Sequence, residues 1–167
     1  MKKRYFAAGF GVLLAATTSP AQAKDDQPCA ANMVCASDPA TIVTALQKAG
    51  YKAKLTKDGV GDPEIDSAAS GYSYSIYFYD CVDHKQCAAI QFYASFEADP
   101  TYTEAFANKW NNDKRFLRAH ISAKKELIFD HDVSTIGGLN QTNFADLLGW
   151  MESSLSEVNR YLNPKTK

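Results

Sequence analysis

Residues 72–96 read YSYSIYFYDCVDHKQCAAIQFYASF, two alternating runs rich in aromatic residues, joined by a short loop with a cysteine at each end. Aromatic and β-branched side chains suit a pleated, half-buried surface, so each run predicts a strand and the pair predicts a β-hairpin. Placing Cys81 opposite Cys87 sets the register, because a slip of one residue would move every side chain to the other face. The sequence therefore predicts a fold centred on this hairpin.

In this register one face of the hairpin is apolar, with the cross-strand pairs Phe78–Ile90, Ile76–Phe92, Tyr74–Ala94 and Tyr72–Phe96. We expect this face to line the core, because successive side chains on a strand point to opposite sides. The other face carries Ser73, Ser75, Tyr77, Tyr79, Cys81, Cys87, Ala89, Gln91, Tyr93 and Ser95.

The tyrosines on that second face, Tyr77, Tyr79 and Tyr93, have two interpretations. In the first, a helix covers this face as well, and the tyrosines belong to the core. In the second, they form a surface that binds a partner or a second copy of the chain, because exposed aromatic patches mark binding sites.

The first 23 residues have the pattern of a secretory signal peptide. A basic start at 2–4 precedes an apolar run at 6–16 that is too short to span a membrane, and the small-x-small motif AQA ends at Ala23. No later apolar run is long enough to cross a bilayer. The sequence predicts cleavage after Ala23 and a periplasmic or secreted protein that has no membrane span after cleavage.

The charge pattern excludes one class of partner. The chain has 18 basic and 19 acidic residues, and three of the basic residues lie in the signal segment. No basic stripe remains in the mature part, so we expect no binding to nucleic acid.

Four cysteines, Cys29, Cys35, Cys81 and Cys87, all lie in the part predicted to be exported. Disulfides persist outside the cytoplasm, and the two equal local spacings favour the pairs 29–35 and 81–87 among the three connectivities that are possible. A zinc site that includes His84 is the alternative, although the spacing is wider than that of paired zinc ligands.

The rest of the chain predicts one domain at 37–163, between an irregular N-terminal arm at 24–36 and a tail at 164–167. The elements follow the order α-ββββ-α-ββ-α, which indicates an α+β fold with helices packed on an antiparallel sheet. Predicted helices begin at Asp38, at Thr101 or Thr103 and at Asn140, each beside a capping side chain. Predicted strands outside the hairpin lie at 51–57, 64–70, 115–121 and 126–133.

The segment Trp110-Asn111-Asn112-Asp113-Lys114-Arg115-Phe116 begins a longer pattern: a helix end, an Arg-Phe strand, a polar hairpin, an acidic returning strand and a Gly-Gly loop before a long helix. This order resembles the YbjN-like family, described as bacterial sensory transduction regulators, over about 38–162. The resemblance implies a fold similar to type III secretion chaperones, a small α+β domain that is often dimeric and holds partners on its surface. It implies no catalytic residue and no cofactor.

Few residues suggest chemistry. His120 and His131 lie on neighbouring predicted strands, and in some registers they would approach each other and form a metal or acid–base site with Asp130 or Asp132. The sequence has no Gly-x-Ser-x-Gly elbow, Gly-rich phosphate loop or Cys-x-x-Cys motif.

Together these features favour a non-enzymatic periplasmic domain that binds an unidentified protein or peptide in a chaperone-like or regulatory role. The alternative is a small envelope enzyme or metal-binding protein that uses the His120/His131 region.

Overall fold

The computed structural model describes residues 28–163, with three helices and eight strands in this range. The predicted signal peptide at 1–23, residues 24–27 of the arm and the tail at 164–167 lie outside the described residues. The strands are β1 (Met33–Val34), β2 (Lys54–Lys57), β3 (Pro63–Ala69), β4 (Tyr72–Tyr79), β5 (Ala89–Phe96), β6 (Arg118–Ile121), β7 (Leu127–Ser134) and β8 (Leu139–Asn140). The helices are α1 (Pro39–Lys48), α2 (Glu104–Asp113) and α3 (Gln141–Leu162).

Each helix begins at a side chain that accepts a hydrogen bond from the otherwise unpaired first turn. Asp38 accepts from Ala40 N, Thr103 accepts from Phe106 N, and Asn140 accepts from Asn143 N. These positions confirm the predicted starts and select Thr103 over Thr101. No helix within residues 28–163 is long and apolar enough to span a membrane.

Six strands form one antiparallel sheet in the order β2-β3-β4-β5-β7-β6. The hairpin of β4 and β5 lies at its centre, and its register pairs Ile76 with Phe92 and Phe78 with Ile90, as the sequence predicts. All four of these side chains are buried. The predicted α+β architecture with an antiparallel sheet is confirmed.

The helices pack on one side of this sheet, which we call the core face. Buried residues of α1, α2 and α3 belong to the same cluster as the inward side chains of the strands. The indole of Trp110 contacts the rings of Phe129 and Tyr161, with centroids 4.8 and 5.3 Å away, and so joins α2 to both β7 and α3.

Both predicted disulfides are present. Cys29 pairs with Cys35, at a Cα–Cα distance of 5.8 Å, and Cys81 pairs with Cys87, at 3.9 Å. All four sulfurs are therefore engaged, and the alternative zinc site is wrong.

The described part of the arm is more ordered than the sequence predicts. Val34, Cys35 and Ala36 are fully buried or nearly so, and β1 pairs with β8 in a second, two-stranded sheet. The buried backbone N–H of Ala36 donates to Thr135 Oγ1 at 2.8 Å. The arm is part of the core because its small apolar residues fill the space beside the start of α3.

Two strands are shorter than predicted. The strand predicted at 51–57 begins at Lys54, and the strand predicted at 115–121 begins at Arg118. In the second case Phe116 has a φ of 72°, a left-handed conformation that a strand cannot contain.

The Trp-Asn pair at the end of α2 stabilises the adjacent edge of the sheet. Trp110 Nε1 donates to Leu117 O at 2.7 Å. The amide of Asn111 donates to Ala119 O at 2.9 Å and accepts from Ala119 N at 2.8 Å. The Asn111 side chain thus takes the place of a neighbouring strand at β6, whose edge would otherwise leave these groups unpaired.

We predict that Asn111→Ala lowers the free energy of unfolding by about 1–2 kcal/mol, because both backbone groups of Ala119 lose their partner. Urea unfolding followed by circular dichroism would measure the change. Asn112→Ala is the matched control, since Asn112 is exposed on the same helix turn. Equal stability of the two variants would contradict this role for Asn111.

Candidate functional site

The side of the sheet opposite the helices, which we call the outer face, carries the tyrosine cluster of Tyr77, Tyr79 and Tyr93. Within residues 28–163 no helix packs on this face. Tyr79 is 46% exposed, and Tyr77 and Tyr93 are partly exposed. The interpretation that a helix covers these tyrosines is therefore wrong for the described part of the chain, because all three helices are used to cover the core face.

The tyrosine cluster is held in place by ring contacts and hydrogen bonds. The rings of Tyr77 and Tyr93 meet edge to face, with centroids 5.4 Å apart. Tyr79 Oη donates to Gln91 Oε1 at 3.2 Å, and Gln91 Nε2 donates to Asp132 Oδ1 at 2.8 Å. These contacts link side chains of β4, β5 and β7 across the outer face.

Beside the cluster lies a shallow depression of about 380 Å3, which we call the serine depression. Its lining residues are Asp66, Ser67, Ser73, Tyr74, Ser75, Tyr77, Tyr93 and Ser95. The depression forms because short serine side chains lie next to the large rings of Tyr77 and Tyr93 and extend less far from the sheet. Hydroxyl groups and one carboxylate supply hydrogen-bond acceptors.

The outer face is acidic around the tyrosines. Burial raises the pKa of each phenol in the cluster above its ordinary value, and neighbouring carboxylates raise it further. Among the carboxylates, the largest contribution comes from Glu64 for Tyr77, from Asp132 for Tyr79 and from Glu126 for Tyr93. The phenols therefore stay neutral at physiological pH and lie in a negative potential.

One carboxylate on this face is buried and paired. Asp130 is 3% exposed, and its two oxygens accept from Arg118 Nε and Nη2, each at 2.9 Å. His120 Nδ1 lies 3.3 Å from Asp130 Oδ2. The bidentate pair joins β6 to β7 and fixes the acidic edge of the outer face.

The two histidines predicted to share a site lie on opposite sides of the sheet. His120 shares the outer face with Asp130, whereas His131 lies on the core side, where its ring contacts Phe116 at a centroid distance of 6.3 Å. The predicted His120/His131 metal or acid–base site is wrong, because the register of β6 and β7 places the two side chains on opposite faces of the sheet. Within residues 28–163, no group of three or more His, Cys, Asp or Glu residues could hold a metal ion.

The loop of the Cys81–Cys87 disulfide rests on the turn between β2 and β3. His84 Nδ1 lies 2.7 Å from Asp62 Oδ1, and its ring covers Gly61. His84 therefore connects two loops, which agrees with a structural role.

A larger cavity of about 750 Å3 lies between α3 and the segment that follows α2. Its charged side chains largely pair with one another, since Lys114 Nζ lies 3.0 Å from Glu157 Oε2 and Arg160 contacts the same carboxylate. Beside it, Phe116 and Trp150 stack at a centroid distance of 4.0 Å and are 43% and 41% exposed. No local sequence pattern indicates this exposed pair, because it forms between segments distant in the chain.

Residues 38–163 match the model of the YbjN family, described as "Putative bacterial sensory transduction regulator". The chain is also similar to the crystal structure of YbjN from E. coli, described as a putative transcription regulator, with 15% identity and a TM-score of 0.55. That match covers 78% of this chain and 96% of the other, and at this identity it establishes the fold alone. No curated protein matches the chain. The resemblance found in the sequence is confirmed.

We predict that Arg118→Ala lowers the free energy of unfolding by about 2 kcal/mol, because the buried Asp130 carboxylate loses its bidentate partner. The loss should be smaller than for a fully buried pair, since Arg118 is 61% exposed and water can replace it. Urea unfolding measures the effect, with Arg115→Ala as a control at an exposed arginine nearby. A loss no greater than that of the control would refute the prediction.

The raised pKa values of the tyrosine cluster predict a stability loss in alkali. The folded state keeps protons that the unfolded chain releases near pH 10, so the free energy of unfolding should fall as the pH rises from about 10 through the folded-state pKa values. Replacing Tyr77, Tyr79 and Tyr93 with Phe should reduce this slope. Urea unfolding between pH 8 and 11 tests it, and an unchanged slope in the triple variant would count against the prediction.

Proposed function

The chain belongs to the YbjN family, and from this premise we propose that it is a non-enzymatic regulatory domain of the bacterial envelope that binds a protein or peptide at its tyrosine cluster. The observation that carries the proposal is the uncovered outer face. A central hairpin of a six-stranded sheet presents Tyr77, Tyr79 and Tyr93 on the side that no described helix covers.

Tyrosine is well suited to such a role. Each ring supplies a large apolar surface together with one hydroxyl group, and ordering it costs little side-chain entropy because it has few rotatable bonds. The ring contact of Tyr77 with Tyr93 and the hydrogen bond of Tyr79 to Gln91 already restrict the cluster in the free protein. A surface that is ordered before binding loses less entropy when its partner arrives.

The polar groups of this face also suit binding better than catalysis. The buried Asp130 accepts two hydrogen bonds from Arg118, and Asp132 accepts one from Gln91. These pairs orient side chains and do not place an activated nucleophile beside a base, which catalysis of acyl transfer needs.

An envelope location is supported by the signal-peptide pattern that ends at Ala23 and by the two disulfides. Disulfides such as Cys29–Cys35 persist in oxidising compartments and are rare in the cytoplasm. A regulatory act in this protein would therefore take place outside the cytoplasm. The acidic outer face would repel the phosphate backbone of DNA. We therefore do not propose for this chain the transcriptional role ascribed to the E. coli protein.

The test is crosslinking in living cells, followed by affinity capture of the tagged chain from the periplasmic fraction and mass spectrometry. We expect a saturable partner whose crosslinks map to β4 and β5. Replacing both Tyr77 and Tyr93 with Ser should lower its recovery at least fivefold, because two of the three rings of the tyrosine cluster are removed.

Trp150→Ser is the matched control, since it removes an exposed aromatic ring from α3 and should leave recovery unchanged. A melting temperature close to that of the original chain must accompany the double variant, or its loss of binding reflects unfolding. Capture of the chain alone, crosslinked through the same face, would identify the partner as a second copy. Equal recovery with the double variant and the control would refute the proposal.

A further inference from the structure

We propose that the serine depression beside Tyr77 and Tyr93 binds a lysine or arginine side chain, carried by an extended segment of the partner. This inference rests on the proposed function and specifies the chemistry of what the tyrosine cluster recognises. It follows from three properties of the depression, namely its aromatic wall, its charge and its size.

The aromatic wall comes from the ring pair. Tyr77 and Tyr93 meet edge to face at 73°, and both line the depression while staying partly exposed. The face of an aromatic ring carries negative electrostatic potential, and ammonium or guanidinium groups bind over it. Because the planes of the two rings are steeply inclined to each other, a cation in the depression can contact both rings.

The surrounding charge has the sign that a cation requires. Asp66 lines the depression and Glu64 is the cross-strand neighbour of Tyr77, whereas Asp130, the cross-strand neighbour of Tyr93, is already paired with Arg118. Burial raises the pKa of both phenols, and the carboxylates of Glu64 and Asp130 raise the pKa of Tyr77 and of Tyr93 further.

Two cations share the outer face with these carboxylates. Arg118 is held by Asp130 at the far edge, and Lys54 is the register neighbour of Asp66 on the edge strand β2. Asp132 and Glu126 add further negative charge near Tyr79 and Tyr93. An acidic face with an aromatic centre is complementary to a basic segment, and such complementarity governs both encounter rate and choice of partner.

The depression is large enough to admit a long basic side chain. Its volume of about 380 Å3 lies near the lower end of the range for small-molecule pockets, about 300–1,000 Å3. Ser73, Ser75 and Ser95 provide hydroxyl oxygens that can accept from the bound cation. The outer face around the depression, on which no described helix packs, leaves room for the extended backbone that carries this side chain.

The test uses the disulfide-bonded mature chain and three blocked peptides of Gly and Ser. One carries three lysines, the second carries norleucine at the same positions, and the third carries glutamate. Titration followed by two-dimensional NMR should give shifts at Ser75, Tyr77 and Tyr93, with a Kd for the lysine peptide at least tenfold lower than for the norleucine peptide. Binding should weaken as salt rises, because the attraction is screened.

Variants distinguish binding of the lysine side chain in the serine depression from a general electrostatic attraction between the peptide and the protein. Asp66→Asn and Tyr93→Ser should each weaken binding of the lysine peptide at least threefold, whereas Tyr93→Phe should retain it, because the ring remains. Glu104→Gln on α2 removes the same charge elsewhere and should leave the Kd unchanged. Retained dispersion of the NMR spectrum would show that each variant is folded.

The outcomes distinguish this inference from the proposed function. Equal binding of the lysine and norleucine peptides, or an equal effect of Asp66→Asn and Glu104→Gln, would overturn the cation site and leave the tyrosine cluster as an apolar docking surface. Binding of free tetramethylammonium with no advantage for the lysine peptide would overturn the assignment to a partner segment. Capture that is independent of Tyr77 and Tyr93 would instead refute the proposed function.

Discussion

The two-sided pattern of the β4–β5 hairpin is the constraint on which the rest of this structure depends. Ile76, Phe78, Ile90 and Phe92 must leave water together, and because side chains alternate along a strand, their burial turns the intervening residues to the other side. Three helices then cover the apolar side. The tyrosine cluster is exposed as a direct result, because the helices that could have covered it are used elsewhere.

A sheet with one uncovered face also needs stable edges. The side chain of Asn111 makes two hydrogen bonds to Ala119 on the open edge of β6. The buried indole of Trp110 donates to Leu117 O, just before this strand. These two residues begin the motif that carries the family resemblance. Their effect is to pair backbone groups at the edge of the sheet that would otherwise lack a partner.

The candidate site was predictable only in part. The alternation of Tyr77, Tyr79 and Tyr93 indicated a shared face, and the acidic pairs Glu64/Asp66 and Asp130/Asp132 each have the spacing that places both carboxylates on one side of a strand. That these acidic pairs flank the tyrosines depends on β3 and β7 lying on either side of the hairpin. Strand order is set by packing between distant segments, which no local pattern contains.

The sequence by itself determined the hairpin register, the disulfide pairs and the order of the three helices and the six strands of the main sheet, because each follows from patterns among residues near one another in the chain. It did not determine which tyrosines are exposed, that His120 and His131 lie on opposite sides, or that the arm is buried against Thr135. Only the tertiary structure decided these points. The physical reason is that a side chain's exposure depends on which distant element packs over it, and the same alternation suits a sheet covered on one face or on both.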